Sequence, residues 1–201
     1  MRAAYQTMNL QIRFGVPKNQ RYRVAKIFYE TFEGTISKIF GNKNKFLLFA
    51  SKCLRDDRIL VAFKDGLAVG FAGLQYDKKS FIDANLRQTL KIFGLGALRV
   101  ALFGRMFFFN KAAKNEILID SIAVSANEQG KGIGSKLLQS TIDHAQSKGF
   151  SQIKLEVIET NQNARRLYER VGFKEAKVQK IPYPFSRLLG FGSVTEMVYR
   201  L

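Results

Sequence analysis

A chain of 201 residues, 46% of them hydrophobic and 24% charged, is long enough to bury a core without disulfides or a structural metal. Its single cysteine, Cys53, and single histidine, His144, exclude an internal disulfide, a cysteine-based zinc cluster and a histidine-rich metal site. The formal net charge of +17 points to an anionic partner, whether nucleic acid, a membrane surface or an acidic substrate, and says nothing about fold.

In chain order, residues 8–14 alternate and predict a short strand. Pro17 suits the first turn of a helix that carries Val24, Ile27, Phe28 and Phe32 at helical spacing, with Gly34 as its predicted end. A second helical stretch covers about 35–54 and breaks near Gly41 and Asn42. Ile59 to Phe63 and Leu67 to Tyr76 read as strands joined by an Asp65-Gly66 hairpin turn. Residues 77–115 interrupt this order with two apolar, basic helical segments separated at Gly94-Leu95-Gly96. Leu86, Leu90 and Phe93 fall on one predicted face there, and Leu95, Leu98, Leu102 and Met106 on another. A buried strand, Glu116 to Val124, follows. Next come a glycine-rich turn and a helix over about 132–148 that places His144 on a solvated face and stops at Gly149. Gln152 to Ile158 is a strand, Asn161 to Arg170 a short helix closed by Gly172, and Phe173 onward and Val194 to Tyr199 are strands. The order predicts one α+β (α/β three-layer) domain over 1–201, a mixed sheet with helices on both faces and a helical insertion at 77–115.

The turn Gln129-Gly130-Lys131-Gly132-Ile133-Gly134 lies between a strand and a helix. Unpaired N–H groups at a helix start, approached through glycines, make a phosphate cradle. It is not a P-loop, because Ser125 stands at the first glycine position and Gly132 follows Gly130-Lys131. Nor is it a dinucleotide fingerprint, because Ser135 or Leu137 stands where the last glycine belongs. With Ile122-Ala123-Val124 before it, the pattern resembles the acetyl-CoA signature of the GNAT superfamily of N-acetyltransferases. Leu155-Glu156-Val157, Asn161, Ala164, Leu167-Tyr168-Glu169 and Gly172-Phe173 are similar to the ribosomal-protein-alanine acetyltransferase branch. The resemblance is specific over about 116–176. It rests on element order alone over 8–76 and does not reach 77–115. Ala126 stands where the family often has proline, which implies a local change in the turn.

The resemblance implies a mostly antiparallel sheet that splays after Val124's strand and takes in pantetheine as a pseudo-strand. The backbone of Ile122, Ala123 and Val124 would pair with it. Gln129, Gly130, Lys131, Gly132, Ile133, Gly134 and Ser135 would surround the pyrophosphate, and Asn161, with Asn163 as a lesser neighbour, would reach pantetheine. Acetyl-CoA would be the cosubstrate, with no metal, and a primary amine the acceptor, attacking directly in a ternary complex. Such chemistry needs a base for the amine, an oxyanion donor and a proton for the leaving thiolate. The resemblance places Glu156 as base, with Asp120 as its rival, the Val124 N–H at the oxyanion and Tyr168 as acid.

The insertion lies near the family's acceptor entrance and carries Phe81, Phe93, Phe103, Phe107, Phe108 and Phe109. It reads as a packed or dimer-forming helical pair, a lid, or a membrane-surface element in which Arg87, Lys91, Arg99 and Arg105 flank apolar residues. Phe107-Phe108-Phe109 is expected to be covered. Lysine and arginine balance aspartate and glutamate over 116–176, so the positive excess belongs to the earlier residues and the C-terminal tail. That favours an acidic protein or an anionic surface over a cationic polyamine, and makes no strong case for nucleic acid. Neither a signal-peptide pattern nor an apolar run of about 18 residues occurs, and the expected location is cytoplasmic. Two rivals remain: a catalytically weak CoA-binding regulatory domain and a basic module that binds anionic surfaces.

Overall fold

The computed structural model describes residues 10–101 and 111–201, the side chain of Leu188 apart. Seven strands form one sheet in the order β1-β2-β3-β4-β5-β7-β6. They are β1 (Leu10–Phe14), β2 (Ile59–Lys64), β3 (Leu67–Gln75), β4 (Glu116–Val124), β5 (Gln152–Ile158), β6 (Lys174–Lys180) and β7 (Ser193–Arg200). Every neighbouring pair is antiparallel except β4 and β5. The β2–β3 hairpin turns on Asp65 and Gly66, with φ of 50° and 79°. Two consecutive positive φ values match the twist of the flanking strands.

Helices cover both faces. On one lie α1 (Arg21–Thr31), α2 (Glu33–Phe40) and α3 (Lys43–Cys53), whose Phe28, Phe46 and Leu47 pack with Val61, Phe71 and Phe81. On the other, α5 (Ile133–Ser147) and α6 (Gln162–Val171) bury Leu137, Leu138 and Tyr168 against Ile117, Leu155 and Val157. Between β3 and β4 comes α4 (Leu86–Phe93), and α7 (Phe185–Leu189) lies between β6 and β7. The predicted segment from residue 8 begins at Leu10 among the described residues.

Three sequence expectations need correction. Gly34 does not end the first helix: α1 stops at Phe32, whose N–H reaches back to Phe28 and Tyr29 carbonyls, and Gly34 sits in the first turn of α2. His144 is not on a solvated face. It is half-buried, its ring 4.6 Å from that of Phe14 and its Nε2 3.4 Å from the Tyr76 hydroxyl. In the insertion the buried seam is Thr89, Phe93, Ala97 and Val100, against Phe49 and Cys53. Leu86 and Leu90 do not share it; they are 66% and 51% exposed. The break at Gly94–Gly96 is present as a single 3-10 turn. Phe81 and Phe93 are buried, whereas Leu102, Phe103, Arg105, Met106 and Phe107 to Phe109 lie outside the described residues.

One irregularity positions the site. Gly73 faces Ser121 across the β3–β4 ladder, but Leu74 faces Ile119, so Asp120 is an extra residue in β4. Such a bulge shifts the side-chain phase of the strand. Before it, Ile117 and Ile119 point toward α5; after it, Ile122 and Val124 do.

Candidate active site

The parallel β4–β5 pairing ends at Ile119 opposite Leu155, one residue before the bulge. Beyond that point β4 stays paired with β3 and β5 with β7, so the two central strands part. The Ser125 N–H donates to the Val69 carbonyl. Hydrogen-bonded and non-hydrogen-bonded pairs alternate along an antiparallel ladder. Ala123 therefore bonds with Phe71, while Ile122 and Val124 turn their N–H and C=O groups toward the gap. This refines the expected pseudo-strand edge: Ile122 and Val124 offer it, and the backbone of Ala123 serves the β3 ladder.

At the mouth of the gap the chain enters α5 through Gly130 and Gly132, with φ of 77° and 78°. These left-handed positions suit glycine, and a Cβ on either would meet nothing within 4 Å. Gly132 is the N-cap and supplies no side chain, so the first N–H groups of α5 point outward through open space. Buried Ile133 anchors this turn in the core. A Cβ on Gly134 would come 3.0 Å from Leu167 Cδ2, so that glycine lets α5 and α6 approach. Two side chains expected around a pyrophosphate also hold the loop together. Gln129 Nε2 donates to the Val124 carbonyl at 3.1 Å. Lys131 Nζ donates to the Asn127 carbonyl at 2.7 Å and pairs with Glu128 at 3.3 Å. Asn161 caps α6, its Oδ1 accepting from Ala164 N–H, which leaves its amide nitrogen out of the cap. Asn163 Oδ1 accepts from Arg166.

Strand alternation divides the reactive groups between the faces. Leu155 and Val157 point into the α5 side, so Glu156 points to the opposite face, toward the insertion. Tyr168 comes from the α5 side. Burial raises its hydroxyl pKa, so it stays protonated through neutral pH and can donate. Glu156 is exposed just past the last β4–β5 pair, opposite Glu196 in the β5–β7 ladder. Its pKa is raised by partial loss of water and then by the charge of Glu196, against a lowering by Lys154.

Asp120 is more enclosed. Its Oδ2 accepts from the Ser80 hydroxyl at 2.6 Å and its Oδ1 from Gln75 Nε2 at 3.4 Å. Burial pushes its carboxyl up to about 7; the two hydrogen bonds oppose the shift and the charge of Glu156 adds to it. The two carboxylates thus lie on the same face of the sheet, one on each strand that bounds the gap. Ser80 and Gln75 carried no sequence signal, since they reach Asp120 from 40 and 45 residues away. No cluster of histidine, cysteine, aspartate and glutamate that could hold a metal occurs among the described residues, and no helix among them is long and apolar enough to cross a membrane.

The open glycine turn, the bare helix start and the two outward-facing backbone positions fit a pantetheine-pyrophosphate ligand such as acetyl-CoA. The comparisons with known proteins agree. An N-acetyltransferase from Staphylococcus aureus Mu50 superposes with a TM-score of 0.61 at 19% identity, covering 96% of this chain and 98% of that one. A Salmonella typhimurium acetyltransferase structure containing acetyl-CoA gives 0.60 at 21% identity, covering 96% and 94%. In sequence, the probable N-acetyltransferase camello of Xenopus laevis is 28% identical over 80% of this chain and 64% of its own length. The camello protein of Xenopus tropicalis is 38% identical over 44% and 39%. The Escherichia coli K12 ribosomal protein bS18-alanine N-acetyltransferase is 35% identical over 39% and 53%. The chain thus spans less than two thirds of the length of each of these curated relatives. The profile of the Acetyltransferase (GNAT) family matches residues 22–173, from the first helix to the edge of β6 and across the insertion, and the chain belongs to that family.

Proposed function

We propose that this chain is an N-acetyltransferase that moves an acetyl group from acetyl-CoA to a primary amine by direct attack in a ternary complex. The observation that carries the reading is the parting of β4 and β5, with Ile122 and Val124 turned into the gap beside an uncapped, glycine-lined helix start. One continuous sheet supports treating the chain as a single acyltransferase domain with the insertion at 77–115.

Acetyl-CoA, when bound, supplies an acyl group already activated as a thioester. Gly130 to Ser135 would hold its pyrophosphate, Asn161 would reach pantetheine, and the Val124 N–H would donate to the acyl oxygen. An amine attacks only when neutral. Of the two carboxylates, Asp120 is the better proton acceptor, because a base works best with a pKa near the working pH and its own is about 7. Glu156, first expected to be the base, becomes a neighbouring charge that adds to the burial keeping the Asp120 carboxyl up. Tyr168 keeps a proton for the leaving sulfur. The two faces divide the traffic, with the cofactor turn and Tyr168 on the α5 side and the carboxylates on the insertion side.

The acceptor class follows from charge. The excess of lysine and arginine outside 116–176 favours an amine on an acidic protein or at an anionic surface over a polyamine. The alanine acetyltransferase relative supports a protein or peptide amine. The test is release of CoA thiol against a panel of amines, run on wild type, Tyr168→Phe, Asp120→Asn and Glu156→Gln. Turnover with at least one amine is expected, falling about 100-fold or more in Asp120→Asn and less in Glu156→Gln. Tyr168→Phe should lose turnover while binding CoA as wild type does. Wild-type turnover in Tyr168→Phe would remove the acid role, and no thiol release with any amine would remove the enzyme.

A further inference from the structure

We infer that Ser80, together with Gln75, is a positioning residue: the pair aims the Asp120 carboxylate into the gap between β4 and β5 and ties both ends of the 77–115 insertion to it. The inference rests on the N-acetyltransferase reading above and adds to it the residues that govern the base.

The geometry is a closed set of contacts. Ser80 lies at the start of the insertion and donates to Asp120 Oδ2 at 2.6 Å. Gln75 ends β3 and is buried. Its Nε2 donates to Asp120 Oδ1 at 3.4 Å, while its Oε1 accepts from the N–H of Ala112, at the far end of the insertion, at 2.7 Å. Both carboxylate oxygens are thus engaged, one directly by the start of the inserted segment and the other by Gln75 of β3, which also holds the segment's far end.

Ser80 does not depend on Asp120 for its place. Phe81, next in the chain, is fully buried on Gly73, where a Cβ would stand 2.5 Å from the ring. The Phe81 carbonyl accepts from Arg55 N–H at 2.8 Å, and Ile82 bridges to Leu54. The serine is therefore fixed by the α3 terminus and by the sheet, and imposes its geometry on a carboxylate that the bulge has pushed out of the β4 ladder. A hydrogen bond to an ionised carboxylate is stronger than a neutral one, so this contact favours the anion that a base needs. The other groups acting on Asp120 are the burial of its own site and the charge of Glu156 across the gap, which both oppose ionisation. Lys154 and Glu196 bear on Glu156 from β5 and β7.

The test uses the full chain and two independent readouts. The first is the side-chain carboxyl titration of Asp120 followed by carbon-13 NMR. The second is turnover against pH with the best amine of the panel. Ser80→Ala should raise the Asp120 midpoint by about one unit. The acid limb of turnover should move up by the same amount. Activity at pH 7 should fall about five-fold and recover at pH 9. Ser80→Thr should restore both, and the melting temperature of either variant should stay close to wild type. Gln75→Met should shift the midpoint in the same direction by less. An unmoved midpoint in Ser80→Ala overturns the inference, as does a loss of turnover equal at every pH. If wild type acetylates no amine, the enzymatic reading falls, and the NMR midpoint still decides whether Ser80 governs Asp120.

Discussion

The Asp120 carboxyl has an ordinary pKa of 3.8 and is pushed up to about 7 in the fold. Between those values the folded chain holds a proton that the unfolded chain has released. Stability falls as pH rises wherever the native state binds more protons, so this group costs the fold most above pH 7 and little near pH 4. Asp120→Asn should therefore melt higher than wild type at pH 8, with the advantage shrinking toward pH 4, while its turnover is lost. Thermal melts of both proteins across that range check this, and a difference independent of pH would contradict it. His144 acts at the opposite end: burial lowers its pKa, so its contribution is lost as pH falls through that lowered value. Legibility at this scale tracks locality. Tyr168 and Glu156 stand in a run whose spacing carries meaning. Ser80 and Gln75 are an ordinary serine and glutamine until folding places them on Asp120.

Among the elements, two glycines separate fold from ligand. Gly73→Ala would drive a Cβ to within 2.5 Å of the Phe81 ring. It should cost about 1–3 kcal/mol as overpacking, seen as a lower melting temperature. Because Ser80 directly precedes Phe81 and is held in place by it, the substitution should also lower turnover. Gly132→Ala meets nothing within 4 Å but forces a side chain into φ of 78°, a strain of about 1–2 kcal/mol, and places a methyl where a phosphate would approach. Calorimetric titration should then show CoA affinity falling about ten-fold or more, a loss that Gly73→Ala does not share. Most element boundaries were readable from period and punctuation, as with the Asp65-Gly66 turn and the stop at Gly149. The insertion was not. Leu86 and Leu90 have the spacing of a core stripe, yet the seam runs through Thr89, Phe93, Ala97 and Val100, because the partner surface offered by α3 decides which side of a short helix turns in. The α7 turn after Pro184 had no periodic signal to find.

Across the whole molecule, charge and apolar exposure converge on the insertion. Leu95 is fully exposed and Leu98 is 79% exposed, and Arg87 and Lys91 lie open beside Leu86 and Leu90. This combination suits an anionic lipid surface, where basic residues approach headgroups and leucines enter the boundary. Vesicles containing phosphatidylserine should retain the protein, neutral vesicles should not, and salt should weaken the binding. A Leu95→Glu, Leu98→Glu variant should bind less in co-sedimentation while keeping its turnover in solution. Equal retention on neutral vesicles would count against the idea. The sequence carried the order of most elements along the chain because alternation and helix period are local, whereas the order of strands across the sheet, with β7 between β5 and β6, is set by non-local pairing. The opening between β4 and β5 came only through the family resemblance, because local period says nothing of where pairing stops.

The extra residue in β4 has a consequence for how this chain can change over time. Losing residue 120 would set Ile119 directly before Ser121 and restore plain alternation, with Ile117, Ile119, Ile122 and Val124 all still turned toward α5. The strand would keep its faces up to the cofactor turn, and only the carboxylate and the bulge that presents it would go. Residue 120 is thus an insert in an otherwise regular strand. Change there can remove the proton carrier without disturbing the edge that faces the gap.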